Sequence, residues 1–310
     1  VFYGSKIVGW GSALPDTVVT NADFEARLET NDAWITERTG IKERRFGGTT
    51  SSLAIEASQK ALANAGLEPK DIDLLILSTT TPEQTIPATS ATVQAELGLN
   101  CGAFDVNAAC AGFVYAMVLA NSMIATGVKR ILVVGSDTLS RITDQEDRST
   151  AVLFADGAGA VIMERTELQD NAFLGWDLGV DGSLVPILYC DHGGYMKMEG
   201  REVYKKAVLA MVASSKQALE RAGIAASDVS LVVPHQANLR IIEAATNRLG
   251  IPIEKTAIVL DKTGNTSSGS IPLALVAAAE MGRLQNGDHV LFCGFGAGMT
   301  WAAAVIRWVV

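Results

Sequence analysis

"SQKALANAGLEPKDIDLLIL" (58–77) has a counterpart in "SKQALERAGIAASDVSLVVP" (215–234). Each reads as a helix, a glycine that caps it, a short turn and a buried strand. The register is constant: Ala61 and Ala218, Gly66 and Gly223, Asp71 and Asp228, Leu74 and Leu231 each stand 157 residues apart. Two further pairs extend the match. "VKRILVVGS" (128–136) parallels "GDHVLFCGF" (287–295), and "AGAVIME" (158–164) parallels "AAAVIRW" (302–308). The chain therefore reads as two similar α/β halves, roughly 1–165 and 166–310. Helices alternate with short Val/Ile/Leu strands, which calls for sheets covered on their faces by helices. Only the first half carries extra residues, at about 137–150, between its last two strands. An unshared insertion on a duplicated scaffold is a place to look for a specific function.

Composition narrows the classes. The 310 residues are 48% hydrophobic and 19% charged, enough apolar surface for a large core and too little charge for disorder. Mean hydropathy is +0.24, yet no apolar run reaches the ~18 residues of a membrane span. The opening "VFYGSKIVGWG" reads as a strand and not as a signal peptide. A net charge of -9 speaks against nucleic acid or an anionic membrane as a partner, so an acidic partner needs a local basic patch. The four cysteines lack CxxC spacing and read as reduced thiols in a cytoplasmic protein. His192, His235 and His289 lie far apart, which argues against a metal site.

"DVNAACAGFVYAMVL" (105–119) holds the candidate nucleophile. "GAFDV" (102–106) reads as a strand and 111–127 as an apolar helix, so Cys110 falls at the turn between them. Unpaired N–H groups and the helix dipole there favour a thiolate and lead one to expect a lowered thiol pKa. The alternative is a small buried core residue, because cysteine is often buried. Cys293, inside an apolar strand, reads as core. His235 in "PHQAN" follows the strand that ends the second repeat, where functional groups of α/β folds commonly sit. Asn265 in "DKTGNTSSGS" can donate an amide N–H to an oxyanion. "CGFGAGMTW" (293–301) lacks the GxGxxG order of a dinucleotide site and reads instead as a tight loop able to aim a main-chain N–H.

"NAACAGF", "PHQAN" and "TGNTSSGS", in that order, resemble β-ketoacyl-acyl-carrier-protein synthase III, the condensing enzyme that initiates type II fatty acid synthesis. The likeness spans essentially the whole chain and includes "TNDAWITERTGIKERR" (30–45), "DRSTAVLFADGAGA" (147–160) and "GFGAGMTW". It implies a thiolase-like fold, a duplicated five-layer αβαβα architecture, in a homodimer. It also implies a decarboxylative Claisen condensation of a short acyl-CoA, acetyl-CoA being the expected primer, with malonyl-acyl-carrier protein. No cofactor and no metal are implied beyond these substrates. By motif, Cys110 is the nucleophile that forms an acyl thioester. His235 and Asn265 stabilise the enolate, and the N–H groups of Cys110 and Ala297 form the oxyanion hole. Relatives often have Gly where Ala297 stands. Trp34 and Arg148 match an adenine sandwich for CoA, Arg38 a CoA contact, Asn238 a pantetheine neighbour and Tyr204 an aromatic at the tunnel mouth. Lys205, Lys206, Arg240 and Arg248 resemble the basic patch for acyl carrier protein. Ile86 stands where an aromatic often reaches across the dimer to limit the acyl pocket. The segment between Gly182 and Met196 is shorter than in many relatives.

Other readings use the same residues differently. A priming or acyl-transfer enzyme of a secondary-metabolite pathway would keep Cys110, His235 and Asn265. An acyl-binding partner subunit without activity would be expected to lose the nucleophile. Hydroxymethylglutaryl-CoA synthase needs a glutamate in a different pattern from that around Glu83. A papain-like protease would not explain the duplication.

Overall fold

The computed structural model describes residues 2–309. The chain starts with β1 (Gly4–Ala13). A ribbon of β2 (Thr17–Thr20) and β3 (Glu43–Phe46) encloses α1 (Asn21–Glu25) and α2 (Asp32–Thr39). Then come α3 (Thr50–Ala65), β4 (Leu74–Ser78), α4 (Thr89–Glu96), β5 (Gly102–Val106), α5 (Gly112–Ala125), β6 (Arg130–Thr138), α6 (Arg148–Ala151) and β7 (Asp156–Thr166). The second series opens with β8 (Phe173–Val180), the short ribbon β9 (Leu188–Tyr189) and β10 (Lys197–Met198), and α7 (Gly200–Ala222). It continues through β11 (Leu231–Pro234), α8 (Leu239–Leu249), α9 (Leu260–Thr263), α10 (Ser270–Glu280), β12 (His289–Gly296) and β13 (Thr300–Arg307).

The two large sheets repeat one topology. The first runs β1-β7-β6-β4-β5 and the second β8-β13-β12-β11. Strands β4 and β6 are parallel, as are β11 and β12; the β6/β7, β12/β13, β1/β7 and β8/β13 pairs are antiparallel. The counterpart of β5 is rudimentary: Ala257 N–H donates to Val232 O at 2.8 Å beside a single bridge at Thr256.

Five layers result. Helices α3 and α4 cover the outer face of the first sheet, and α7 covers the second with α8 packed beside it. Between the sheets lie α5 and α10. These two are apolar nearly all round, as a helix packed on both sides must be. Thus Phe113, Val114, Met117, Ile271 and Leu275 join one core with strand residues of both sheets.

The duplicated sequence reappears as a duplicated contact. A Cβ added at Gly9 in β1 would lie 2.6 Å from Ala61 O; one at Gly175 in β8 would lie 2.5 Å from Ala218 O. Ala61 and Ala218 are one of the pairs 157 residues apart. In both halves a bare strand backbone lets the outer helix settle onto the sheet.

Strands β12 and β13 join through residues 297–299 alone, whereas β6 and β7 are separated by 139–155, which include α6. The sequence placed this insertion at 137–150. Asp137 and Thr138 instead belong to β6, and 151–155 lead back to β7.

Candidate active site

Cys110 is presented by a strained turn. Strand β5 ends at Val106, a 3-10 turn covers Ala109–Ala111, and α5 starts at Gly112. Ala109 has φ +48°, a left-handed conformation that costs a residue with a Cβ about 1–2 kcal/mol. The opposite wall closes on this turn. A Cβ at Gly296 would lie 2.5 Å from Cys110 N and 2.8 Å from Ala109 Cβ. Thr300 Oγ1 donates to Ala108 O at 2.8 Å, tying β13 to the same turn. The two halves thus meet at the nucleophile.

Cys110, His235 and Asn265 line one cavity of about 1460 Å³, together with Ser267, Phe295 and Ala297. The structure brings together what the sequence separates by 155 residues. His235 is buried, and its ring packs edge-on to Phe295 with centroids 5.3 Å apart. Its backbone N–H donates to Cys293 O at 2.8 Å, extending the β11/β12 ladder by one step past Pro234. Its Nδ1 is 2.6 Å from Ser270 Oγ, at the start of α10. Gln236, fully buried beside it, holds the turn: Nε2 donates to Pro234 O and Ala257 O, and Oε1 accepts from Val259 N and Leu260 N. Asn265 Oδ1 accepts the Ser267 N–H at 2.9 Å. That bond fixes the amide's orientation and leaves Nδ2 as the donor that remains available.

The electrostatics correct one expectation. The helix end was expected to lower the Cys110 thiol pKa. Burial instead pushes the thiol up to about 12 from 9.0, and the buried Asp137 carboxylate adds in the same direction. The Ser267 hydroxyl acts the other way, but its approach to the sulfur falls short of hydrogen-bond geometry, so its oxygen is buried without a partner. Desolvation dominates because Cys110 is buried among its neighbours. Burial likewise pulls His235 down to about 3 from 6.5. The resting pair is therefore a neutral thiol and a neutral imidazole.

The cavity's other end is open. Trp34, Tyr204 and Asn238 are half-buried there, and Arg38, Arg148, Lys205 and Arg240 are exposed. The Arg38 and Arg148 guanidinium carbons lie 4.8 and 4.9 Å from the Trp34 ring centroid. Arg148 Nη1 also donates to Glu29 O at 2.6 Å. Arg240 lies 5.7 Å from the Tyr204 ring. Asn238 uses both ends of its amide: Oδ1 caps α8 at Arg240 N, and Nδ2 donates to Arg38 O. Lys205 pairs with Glu202 at 2.9 Å. Lys206 lines a separate surface cleft with Asp181 and Trp301, which divides the expected basic patch between two faces. Arg248 is exposed near the end of α8, away from the cavity. Ile86, 84% exposed, caps a loop whose neighbours Gln84 and Thr85 line the cavity. Cys293 is core, as read. Cys190 and His192, passed over in the sequence, do line the cavity.

Comparison with known proteins points to one family. A family model described as 3-Oxoacyl-[acyl-carrier-protein (ACP)] synthase III matches residues 104–182, and one for the C terminal of the same family matches 219–308. The chain is 48% identical to a β-ketoacyl-[acyl-carrier-protein] synthase III of Erythrobacter litoralis, over 98% of this chain and 99% of that one. It superposes on the crystal structure of 3-oxoacyl-[acyl-carrier-protein] synthase III from Aquifex aeolicus VF5 with a TM-score of 0.96. That pair is 46% identical, over 98% and 100% of the two chains. The priming β-ketosynthase of the R1128 polyketide biosynthetic pathway aligns with a TM-score of 0.95 at 34% identity, over 99% and 97%.

Proposed function

The chain belongs to the β-ketoacyl-acyl-carrier-protein synthase III family, and from that premise we propose how its own residues divide the condensation of an acyl-CoA with malonyl-acyl-carrier protein. The observation that carries the assignment is the shared buried end of one cavity: a thiol, an imidazole and an amide, the latter two each with one polar atom anchored and the other available.

Cys110 Sγ attacks the acyl-CoA carbonyl. The C–S bond to CoA breaks, the thiol proton passes to the departing CoA thiolate, and an acyl thioester remains on Cys110. The N–H groups of Cys110 and Ala297 receive the tetrahedral oxyanion, with Gly296 permitting their close approach. CoA leaves along the open end, where Trp34, Arg148 and Arg38 hold the adenine and Asn238 and Tyr204 flank the pantetheine arm. The Arg148–Trp34 stack must part to admit an adenine between them.

Malonyl-acyl-carrier protein then enters, its protein resting against Lys205, Arg240 and Arg248. Ser270 Oγ accepts the Gln236 N–H; we assign its own proton to the bond with His235 Nδ1, which puts the imidazole proton on Nε2. That Nε2–H and Asn265 Nδ2 donate to the malonyl thioester oxygen. CO2 departs, the electron pair forms an enolate held by the two donors, and its carbon attacks the acyl thioester. The bond to Cys110 breaks, the leaving thiolate takes up a proton from solvent, and 3-ketoacyl-acyl-carrier protein is released.

The expected primer is acetyl-CoA. Ile86, set on an exposed loop, fits a homodimer in which it reaches the partner's acyl pocket and sets its length. Rates with acetyl-, isobutyryl- and octanoyl-CoA test that role: Ile86→Phe should narrow the accepted range, and an unchanged profile refutes it. Intact-protein mass spectrometry after incubation with acyl-CoA tests the central step. An acyl adduct on wild type and none on Cys110→Ala is expected. Equal labelling of the two would overturn the assignment, and a following assay with malonyl-acyl-carrier protein separates condensation from simple transfer.

A further inference from the structure

Asp137 is fully buried at the end of β6, and no Lys or Arg pairs with it among the described residues. Seven hydrogen bonds converge on it instead. Oδ1 accepts the N–H groups of Thr80 (2.7 Å) and Thr81 (3.2 Å) and the hydroxyls of Thr79 (3.0 Å), Thr80 (2.9 Å) and Thr81 (3.0 Å). Oδ2 accepts the N–H (3.0 Å) and the hydroxyl (2.7 Å) of Ser268. The first set comes from the loop after β4, in the first half. The second comes from the turn before α10, in the other half.

That turn holds the reaction's machinery. Asn265 fixes Ser267 through its Oδ1; Ser267 has φ +52°; Ser268 hooks onto Asp137; Ser270 holds His235 Nδ1. The turn is also pressed against bare backbone. A Cβ at Gly135 would lie 2.2 Å from Ser268 O, and one at Gly269 would lie 2.5 Å from Gly157 O.

We propose that Asp137 is a positioning residue for the condensation step: its carboxylate registers the Asn265–Ser270 turn against the nucleophile's half, and so sets both enolate donors. The inference rests on the functional reading above. A carboxylate suits this place because every group facing it is a donor, and an ionised carboxyl only accepts. An amide would turn an NH2 towards donors. A buried anion without a cation is costly to fold, and here it also opposes a thiolate on Cys110. A residue present for stability alone would gain nothing by carrying that charge. The seven donors offset the cost while fixing the turn.

The test separates the two half-reactions. Acylation of Cys110 depends on Cys110 and Ala297; condensation depends in addition on Asn265 and His235. Asp137→Asn should lower condensation from pre-acylated enzyme by ~10²–10³, the scale of losing an oxyanion donor, and acylation by no more than about tenfold. Ser268→Ala removes only the Oγ bonds and keeps the N–H; it should lower condensation about tenfold and leave acylation unchanged. It decides the matter if Asp137→Asn does not fold. Thr79→Val removes a hydroxyl from the far side of the carboxylate; it should lower Tm with both half-reactions intact. If the Asp137 and Ser268 variants lose both half-reactions in step, or neither, Asp137 is structural only and the inference falls. Wild-type protein that neither acylates nor condenses would sink the functional reading, and this inference with it.

Discussion

Gly296→Ala is the sharpest test of the site's geometry. The new methyl would lie 2.5 Å from Cys110 N, 2.8 Å from Ala109 Cβ and 3.1 Å from Thr300 Oγ1. The first two atoms belong to a turn that cannot yield easily. Ala109 is already left-handed, and Thr300 Oγ1 binds Ala108 O at 2.8 Å. An ordinary carbon–nitrogen contact needs about 1 Å more than 2.5 Å, so the nucleophile's turn or the β12–β13 turn must move by a comparable distance. Overpacking of this kind costs ~1–3 kcal/mol, a fall in Tm of a few degrees for a chain this size. The catalytic loss should be larger. The inserted methyl would press on the Cys110 N–H, and misplacing one oxyanion donor costs ~10²–10³ in rate. The assay is single-turnover acylation of Cys110, followed by mass spectrometry across acyl-CoA concentrations. The acylation rate should fall at least ~100-fold with little change in the concentration for half-saturation, because the CoA contacts lie at the other end of the cavity. A variant that acylates at the wild-type rate would refute the claim that this close approach builds the oxyanion hole.

Other outcomes follow from single contacts. Because burial holds the Cys110 thiol at about 12, its alkylation by iodoacetamide in the free protein should quicken about tenfold per pH unit from 7 to 10; a plateau near pH 8 would contradict this. Asn265→Ala should lower condensation ~10²-fold and leave acylation near wild type; equal losses in both would remove Asn265 from the enolate site. Trp34→Ala and Arg148→Ala should each raise KM for acyl-CoA about tenfold with kcat preserved, since each removes one face of the adenine slot; a fall in kcat alone would count against that role.

Much of the scaffold was legible because it is written twice. Capping glycines and buried strands recur at a fixed spacing, and the two sheets reproduce that repeat in every strand but the counterpart of β5. That Cys110, His235 and Asn265 should be singled out was legible because their motifs are local; the fold adds that the three line one cavity. What escaped was whatever depends on approach between distant segments. Ala109 looks like one small residue among several; its left-handed backbone is visible only once β12 packs over it. Gly296 reads as loop chemistry, whereas its place is a strand end pressed on Cys110 N. Asp137 sits in "VVGSDTLS" without any motif, because its donors come from two loops far apart in the chain. Gln236, inside a quoted motif, went unassigned because its partners at Pro234, Ala257, Val259 and Leu260 come together only in the fold. The thiol pKa was misjudged for a similar reason. A helix N-terminus is a local signal, and desolvation is a property of everything packed around the sulfur.

That neutrality has a use. The cavity's cations, Arg38, Arg141, Arg148, Arg201, Lys205 and Arg240, are all exposed. On the proposed reading, its buried end offers the malonyl group only uncharged donors, Asn265 and an imidazole held well below neutrality. A cation at that depth would bind the malonyl carboxylate and stabilise the ground state, which slows the loss of CO2. Neutral donors aimed at the thioester oxygen favour the state in which charge has moved onto that oxygen, and only interactions stronger there than in the ground state accelerate the step. The raised thiol pKa has the same origin. An environment that strips solvent from a malonyl carboxylate strips it equally from a thiolate. With its thiol raised by burial, Cys110 rests protonated, and on the proposed mechanism its reactivity arises when acyl-CoA brings a carbonyl into the oxyanion hole rather than from a standing charge on sulfur.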